Sequence, residues 1–187
     1  MCRHYTKCHA LGAVLVCWAG NYATANAPFL ISPLQGFIEL GFEVEYTQGC
    51  DISKLADVKS IATAVKIAKD ADAVVVVAGL DGSQEGEGHD RTSLLLPGNQ
   101  TELIEAVAAV SRDPIVVLLM SGSALDVSDI VSNQKVGSVL WVGYPGQAGG
   151  VAIAEAVVGV TAVSGRLPMT WYILSLSTPI EKQIAVS

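Results

Sequence analysis

Four short apolar runs constrain this chain more than any other feature: Ala13–Trp18, Ala73–Ala78, Ile115–Met120 and Val139–Val142. They are rich in Val, Leu and Ile and lack polar alternation. A sheet with one wet face alternates apolar and polar residues. A run without alternation suits a strand covered on both faces, as in a parallel sheet between helices. Phe42–Tyr46 does alternate (Phe, Glu, Val, Glu, Tyr) and suits a strand nearer an edge. Helical patterns lie between the runs. Asp57–Asp70 sets Val58, Ile61, Ala62, Val65 and Ala68 on one stripe, and Gln100–Arg112 does the same with Leu103, Ile104, Val107 and Val110. Gly149–Val158 is small and apolar enough to pack flush on a sheet, and Pro33–Leu40 reads as a short helix. Strand and helix alternate. Right-handed crossovers then predict an open, doubly wound α/β sandwich, its sheet mainly parallel with helices on both faces.

Length and charge narrow the classes. With 187 residues, 51% hydrophobic and 16% charged, the chain has too much apolar content for disorder and suits one domain. No apolar run reaches the roughly 18–20 residues of a membrane helix. A (β/α)8 barrel takes about 250 residues, so none fits beside this domain. Eighteen acidic against eleven basic residues give a net charge of −7, with no basic stripe. That balance disfavours nucleic acid as a partner but does not penalise a neutral sugar. Cys2, Cys8, Cys17 and Cys50 form no CxxC pair and have no His at zinc spacing, so they read as thiols, not metal ligands.

The N-terminus imitates a signal peptide. Arg3, His4 and Lys7 precede the apolar stretch Leu11–Ala19, and Ala23-Thr24-Ala25 has the look of a cleavage site. The favoured reading is instead a first buried strand, Ala13–Trp18, ending before Gly20. Asn99-Gln100-Thr101 is a glycosylation sequon, relevant only to a secreted chain.

In an open α/β sheet, ligands bind in the loops beyond the carboxyl ends of the strands. Four such loops can be read: Ala19–Ala23, Gly79–Pro97, Ser121–Asp126 and Gly143–Gly150. The second is the richest. Between its glycines it carries Asp81, Glu85, Glu87, His89, Asp90 and Arg91. It reads either as a solvated acidic turn or as a carboxyl-bearing functional loop. Phosphate binding is disfavoured, because the loop has no GxGxxG or GxxxxGK[ST] and its carboxylates repel phosphate. An EF-hand fails, because the twelfth position from Asp81 is Thr92. A divalent-metal site from Asp81, Glu85, Glu87 and His89 lacks a defined spacing. General acid/base chemistry asks least, one carboxyl in the right place. Gly149 and Gly150 fit two roles equally, a pocket-shaping turn or close helix–sheet packing. Ser121–Asp126 reads as a cap for the next helix in preference to a catalytic segment.

Several stretches now carry a resemblance. Gly20-Asn21-Tyr22-Ala23, Ser32–Gly36 and Gln48-Gly49-Cys50 are followed by Ala71–Asp81 and Glu85–Arg91. Leu94–Gly98, Leu119–Gly122, Leu140–Gly146, Ala148–Gly150 and Gly165–Tyr172 then complete the series. In this order and spacing the chain resembles the C-terminal α/β sandwich domain of glycoside hydrolase family 3, in its plant β-xylosidase/α-L-arabinofuranosidase branch. The resemblance covers about Gly20 to Tyr172. With the strand reading it gives a domain over residues 13–172 and divergent ends at 1–12 and 173–187.

The resemblance implies a retaining exo-glycosidase acting on xylan- or arabinan-derived oligosaccharides, extracellular or in the cell wall, without a cofactor or metal. It implies an Asp nucleophile in an N-terminal barrel and an acid/base Glu on the loop matching Gly79–Arg91. Glu85 matches that residue best, with Glu87 as the fallback. It also implies that Cys50 has lost a disulfide partner, because the family's cysteines near Ala27 and shortly after Cys50 are missing. On this reading the chain is a fragment with half an active site, and in isolation Glu85 lies in water and titrates as an ordinary carboxylate. The competing functions are a non-catalytic carbohydrate-binding or decayed paralogue domain and, more remotely, a nucleotide-binding doubly wound protein.

Overall fold

The computed structural model describes residues 7–12, 28–52 and 58–173. Five parallel strands form one sheet: β1 (Lys7–Gly12), β2 (Glu43–Thr47), β3 (Ala73–Gly79), β4 (Ile115–Met120) and β5 (Val136–Trp141). Their order is β2-β1-β3-β4-β5, with every neighbouring pair parallel. Five helices connect and follow them: α1 (Pro33–Glu39), α2 (Val58–Asp70), α3 (Gln100–Val110), α4 (Ser128–Ser132) and α5 (Gly149–Val158). The chain runs from β1 to the β2 edge, crosses back to β3 and continues to β5. Right-handed crossovers along that path place α1 on one face and α2, α3 and α4 on the other. The packing agrees: α1 lies against α5, α2 against α3, and α3 against α4. The doubly wound α/β sandwich expected from the sequence is the fold found.

The predicted strand Ala13–Trp18 lies outside the described residues. The first described strand, β1, occupies Lys7–Gly12, within the segment expected to diverge. Paired on both sides, by β2 and β3, it is an inner strand.

The apolar runs behave as their composition dictates where they have two neighbours. Val74 to Ala78 of β3 are all buried, as are Ile115 and Val117 to Met120 of β4. Each Val, Leu, Ile or Met among them contributes about 1.5–3 kcal/mol of transfer free energy, so these two strands anchor the core. The run Val139–Val142 departs from expectation. Val139 to Trp141 belong to β5, which begins earlier at Val136 and is an edge strand, so these side chains and Val142 just after them are only partly buried. One neighbour cannot cover what two would. The alternating segment near Phe42 forms β2 at the other edge, with Glu43 and Glu45 exposed. In α2 the buried stripe is turned from the predicted one. Ala64 and Ala68 are wholly buried with Ile61 and Ile67 beside them, while Ala62 faces solvent.

Close packing of α1 on α5 rests on two glycines. A Cβ on Gly36 would stand 2.2 Å from the Gly150 carbonyl oxygen, and one on Gly150 would stand 2.1 Å from the Ser32 carbonyl oxygen. Gly150 therefore serves helix–helix packing, a role outside the two expected, while Gly149 makes room for Pro145 of its own loop. Gly36→Ala or Gly150→Ala should cost at least the roughly 1–3 kcal/mol typical of overpacking, because backbone atoms stand in the way. Gly165→Ala, in open space, should cost little. Urea denaturation midpoints of the three variants check this.

Candidate active-site loop cluster

Loops following β3, β4 and β5 converge on one side chain, Glu85. The approach begins at Gly79, the last residue of β3. Its φ is 147°, and a Cβ there would fall 1.9 Å from the Met120 carbonyl oxygen, so glycine alone lets the chain pass β4 this closely. The Leu80 N–H donates to that same oxygen at 2.7 Å. Gln100, wholly buried at the start of α3, braces the crossing. Its Oε1 accepts from the Gly79 N–H at 2.7 Å. Its Nε2 donates to the carbonyls of Gly79 (2.8 Å) and Ile52 (3.1 Å). A buried amide is tolerable only when its polar atoms are matched, as they are here.

Beyond Leu80 the chain winds into a compact turn. Asp81 Oδ1 accepts from the Ser83 N–H (2.8 Å) and hydroxyl (2.6 Å). The Asp81 carbonyl accepts from the N–H groups of Gln84 and Glu85 at 3.0 and 3.1 Å. Asp side chains favour such turns because they satisfy backbone donors locally. The turn carries Glu85 back toward β4 and β5.

Both Glu85 oxygens are then engaged. Oε1 accepts from the Gly122 N–H at 2.5 Å and from the Tyr144 hydroxyl. Oε2 accepts from the Ser123 N–H at 3.1 Å and from the Ser123 hydroxyl. Arg91 Nη1 donates to Ser123 Oγ at 2.8 Å and to the Ala124 carbonyl at 2.9 Å. Burial is the largest single influence on Glu85 and pushes its pKa up. The hydrogen bonds from Ser123, Tyr144 and Gly122, with the charge of Arg91, together outweigh it and hold the carboxyl below its ordinary value. Glu85 is thus not a carboxylate in open water, as expected for the isolated chain, but a half-buried anion held by donors from the loops after β4 and β5.

The other loop residues lie differently. Glu87, His89 and Asp90 are exposed. His89 is tied into its own turn, with Nδ1 3.3 Å from the Gly82 carbonyl oxygen and an antiparallel bridge to Gly86. Among the described residues no group of three or more His, Cys, Asp or Glu side chains is arranged to hold a metal ion, so Asp81, Glu85, Glu87 and His89 do not converge. An open cleft of about 420 Å³ runs beside the cluster, lined by Gln84, Arg91, Ser93 and Leu95 among others, without Glu85. Cys50 is buried and free. Burial, then the nearby Asp51 and Glu102 charges, push its thiol pKa up to about 11.

Three of the loops singled out in the sequence meet at Glu85, but most of the contacts between them were not foreseen. Ser121–Asp126 does serve the following helix, since Asp126 Oδ1 accepts from the N–H of Ser128, the first residue of α4, at 3.0 Å. The same segment presents Gly122 and Ser123 to Glu85, a second role the capping reading did not include. Tyr144 and Gln100 carried no assigned role, and Arg91 only its place in the loop. The available signal was position: Gly122, Ser123 and Tyr144 all lie just past strand carboxyl ends. The fourth loop, Ala19–Ala23, lies outside the described residues.

Fold and cluster together define an all-parallel, doubly wound α/β domain with a carboxylate held at the carboxyl end of its sheet. The profile of the glycosyl hydrolase family 3 C-terminal domain matches residues 11–184, and the chain belongs to that family. Among curated relatives, Beta-D-xylosidase 3 of Arabidopsis thaliana is 46% identical over 154 residues, 82% of this chain and 19% of the relative. Beta-xylosidase/alpha-L-arabinofuranosidase 1 of Medicago sativa subsp. varia is 45% identical over 153 residues, again 82% and 19%. Among solved structures, a family 3 exo-β-xylosidase in complex with a xylobiose aziridine activity-based probe superposes with a TM-score of 0.87 at 35% identity, over 94% of this chain and 23% of that one. The chain therefore spans about a fifth of the length of the curated relatives it matches.

Two outcomes follow. A carboxyl whose folded pKa is depressed contributes stability that is present above the unfolded value and lost as pH falls through the folded one. Wild-type stability should therefore drop across the acid carboxylate range, and Glu85→Gln should show a smaller drop from a lower neutral plateau, read from urea midpoints at a series of pH values. The Cys50 peptide should stay unmodified by a neutral thiol reagent in the native chain and react once the chain is unfolded, as read by mass spectrometry.

Proposed function

We propose that this domain supplies the acid/base group of a retaining, β-xylosidase-like exo-glycosidase, with Glu85 in that role. The observation that carries the reading is the enclosure of Glu85. The Glu85 side chain is hydrogen-bonded to the loops following both β4 and β5, whereas Glu87, the other glutamate of the Gly79–Arg91 loop, is exposed. A proton donor to a glycosidic oxygen has to be held at a fixed point, and such contacts fix one. The names of the plant relatives, a β-D-xylosidase and a β-xylosidase/α-L-arabinofuranosidase, support xylose- or arabinose-terminated oligosaccharides as substrates; the extracellular or cell-wall setting follows from the family resemblance alone.

The chemistry needs a second carboxyl about 5–5.5 Å away across the scissile bond. We assign it to a separate nucleophile domain. In the first step protonated Glu85 gives its proton to the glycosidic oxygen. The C–O bond breaks, the alcohol leaves, and the nucleophile forms a glycosyl ester. In the second, Glu85 as the anion takes a proton from water, whose oxygen attacks the anomeric carbon and releases the sugar and the nucleophile. Donating first requires a higher pKa than Glu85 has here. A second carboxylate brought close, with water excluded by the domain contact, pushes it in that direction.

Two measurements test this. The isolated chain should show no turnover of an aryl β-xyloside. Hydrolysis that disappears in Glu85→Gln would show that no second domain is needed. In a full-length plant relative carrying residues 11–184 of this chain in place of its own domain, Glu85→Gln should lower turnover of xylobiose by about 10²–10⁴-fold, and Glu87→Gln should leave it within a few-fold. The reverse order would assign the role to Glu87.

A further inference from the structure

The groups around Glu85 are braced without help from Glu85. Trp141 Nε1, at the end of β5, donates to the Ser121 carbonyl at 2.9 Å and lies 3.1 Å from Ser121 Oγ. Ser121 Oγ in turn donates to the Ser123 carbonyl at 2.8 Å. These bonds fix the turn that aims the Gly122 and Ser123 N–H groups. Arg91 donates to Ser123 Oγ and has no acceptor capacity, so the hydroxyl proton of Ser123 is left to point at Glu85 Oε2. Tyr144 sits between Gly143, at φ 59°, and Pro145, whose ring fills the space where a Gly149 Cβ would lie at 2.3 Å. Gly122 has no room to spare, since a Cβ there would come within 3.3 Å of both Glu85 Oε1 and the Tyr144 ring.

The loop bearing Glu85 is built otherwise. It is pinned at Gly79 by Gln100, carries its own Asp81 turn and Gly86–His89 bridge with Gly88 at φ 78°, and is tied to the loop after β4 by Arg91. We propose that Gly122, Ser123 and Tyr144 form a preformed carboxylate receptor in which Glu85 is seated as the anion, with Tyr144 a positioning residue whose hydroxyl must release Glu85 before it can act as an acid. The ligand class of the site is a carboxylate, supplied here by the chain itself. Four donor hydrogen bonds that all favour the charged form, with the nearby charge of Arg91, make a poor place to keep a proton. The groups that face Glu85 electrostatically are Arg91 from its own loop and Tyr144 from the loop after β5; the loop after β4 contributes N–H and hydroxyl donors. The connection to hydrolysis rests on Glu85 being the acid/base group. The receptor itself does not, so its test reads no turnover.

The experiment is a pH titration of the full chain by NMR with glutamate side-chain carboxyl carbons labelled, in the wild type, Tyr144→Phe and Ser123→Ala. The proposal expects the Glu85 midpoint to rise in both variants while the remaining glutamate signals keep theirs. A Glu85 midpoint unmoved in Tyr144→Phe, in a spectrum that retains the native dispersion, overturns it. A second arm uses Glu85→Ala with formate as the probe. Saturable shifts of the Gly122 and Ser123 amide signals, absent when formate is added to the wild type, are expected of an emptied preformed receptor. No shift in a folded Glu85→Ala chain would show that the donors form no receptor without Glu85. Failure of the glycosidase reading would leave both arms unchanged, so the two ideas fail separately.

Discussion

Parallel pairing of β3 with β4, and of β4 with β5, is the constraint on which the site depends. It brings all three carboxyl ends to one edge of the sheet, so three loops distant in sequence leave from neighbouring points. Glu85 then meets Gly122 and Ser123 across 37 and 38 residues, and Tyr144 across 59. Nothing local could bring these groups together. The tightest expression of the pairing is the contact of Gly79 with the Met120 backbone, too close for any side chain. Gln100 ties that contact to α3, so helix packing, strand ends and the Glu85-bearing loop form one connected structure.

The electrostatics of the cluster have a consequence for how such a domain works. Donors that hold a carboxylate firmly also stabilise its charge, whereas acid catalysis asks the same group to carry a proton. One domain therefore provides position, and a second charge is needed to change protonation. In the proposed two-carboxylate mechanism, contact with a second domain would set both the spacing and the pKa. The −7 charge of the chain does not penalise a neutral sugar.

Much of the fold was legible in residue patterns because burial and periodicity are local. Ile115–Met120 and Gly149–Val158 lie where their composition indicates, and Ala73–Ala78 falls short by a single residue. The errors came where tertiary context decides. The run ending at Val142 is as apolar as an inner strand, yet it sits at an edge, because neighbour count is a property of topology. Ala62 and Ala64 are indistinguishable by propensity, and only the packing of α2 selects between them. In the site, the carboxyl-bearing loop stood out by its charge among glycines. Ser123 and Tyr144 did not, because a Ser in a small-residue turn and a Tyr beside a Pro are common, and their meaning lies in what stands opposite. Family resemblance pointed to Glu85 but was silent on its surroundings, and those surroundings change how Glu85 titrates.

The claim that Glu85 is the proton donor is tested most directly by leaving-group dependence in a full-length relative carrying this domain. Acid assistance matters most for poor leaving groups, so it flattens a plot of log kcat/KM against leaving-group pKa. A shallow slope with Glu85 in place, and a steep one in Glu85→Gln with activated aryl xylosides the least affected, is the result this account predicts. Equal slopes in the two proteins would contradict it.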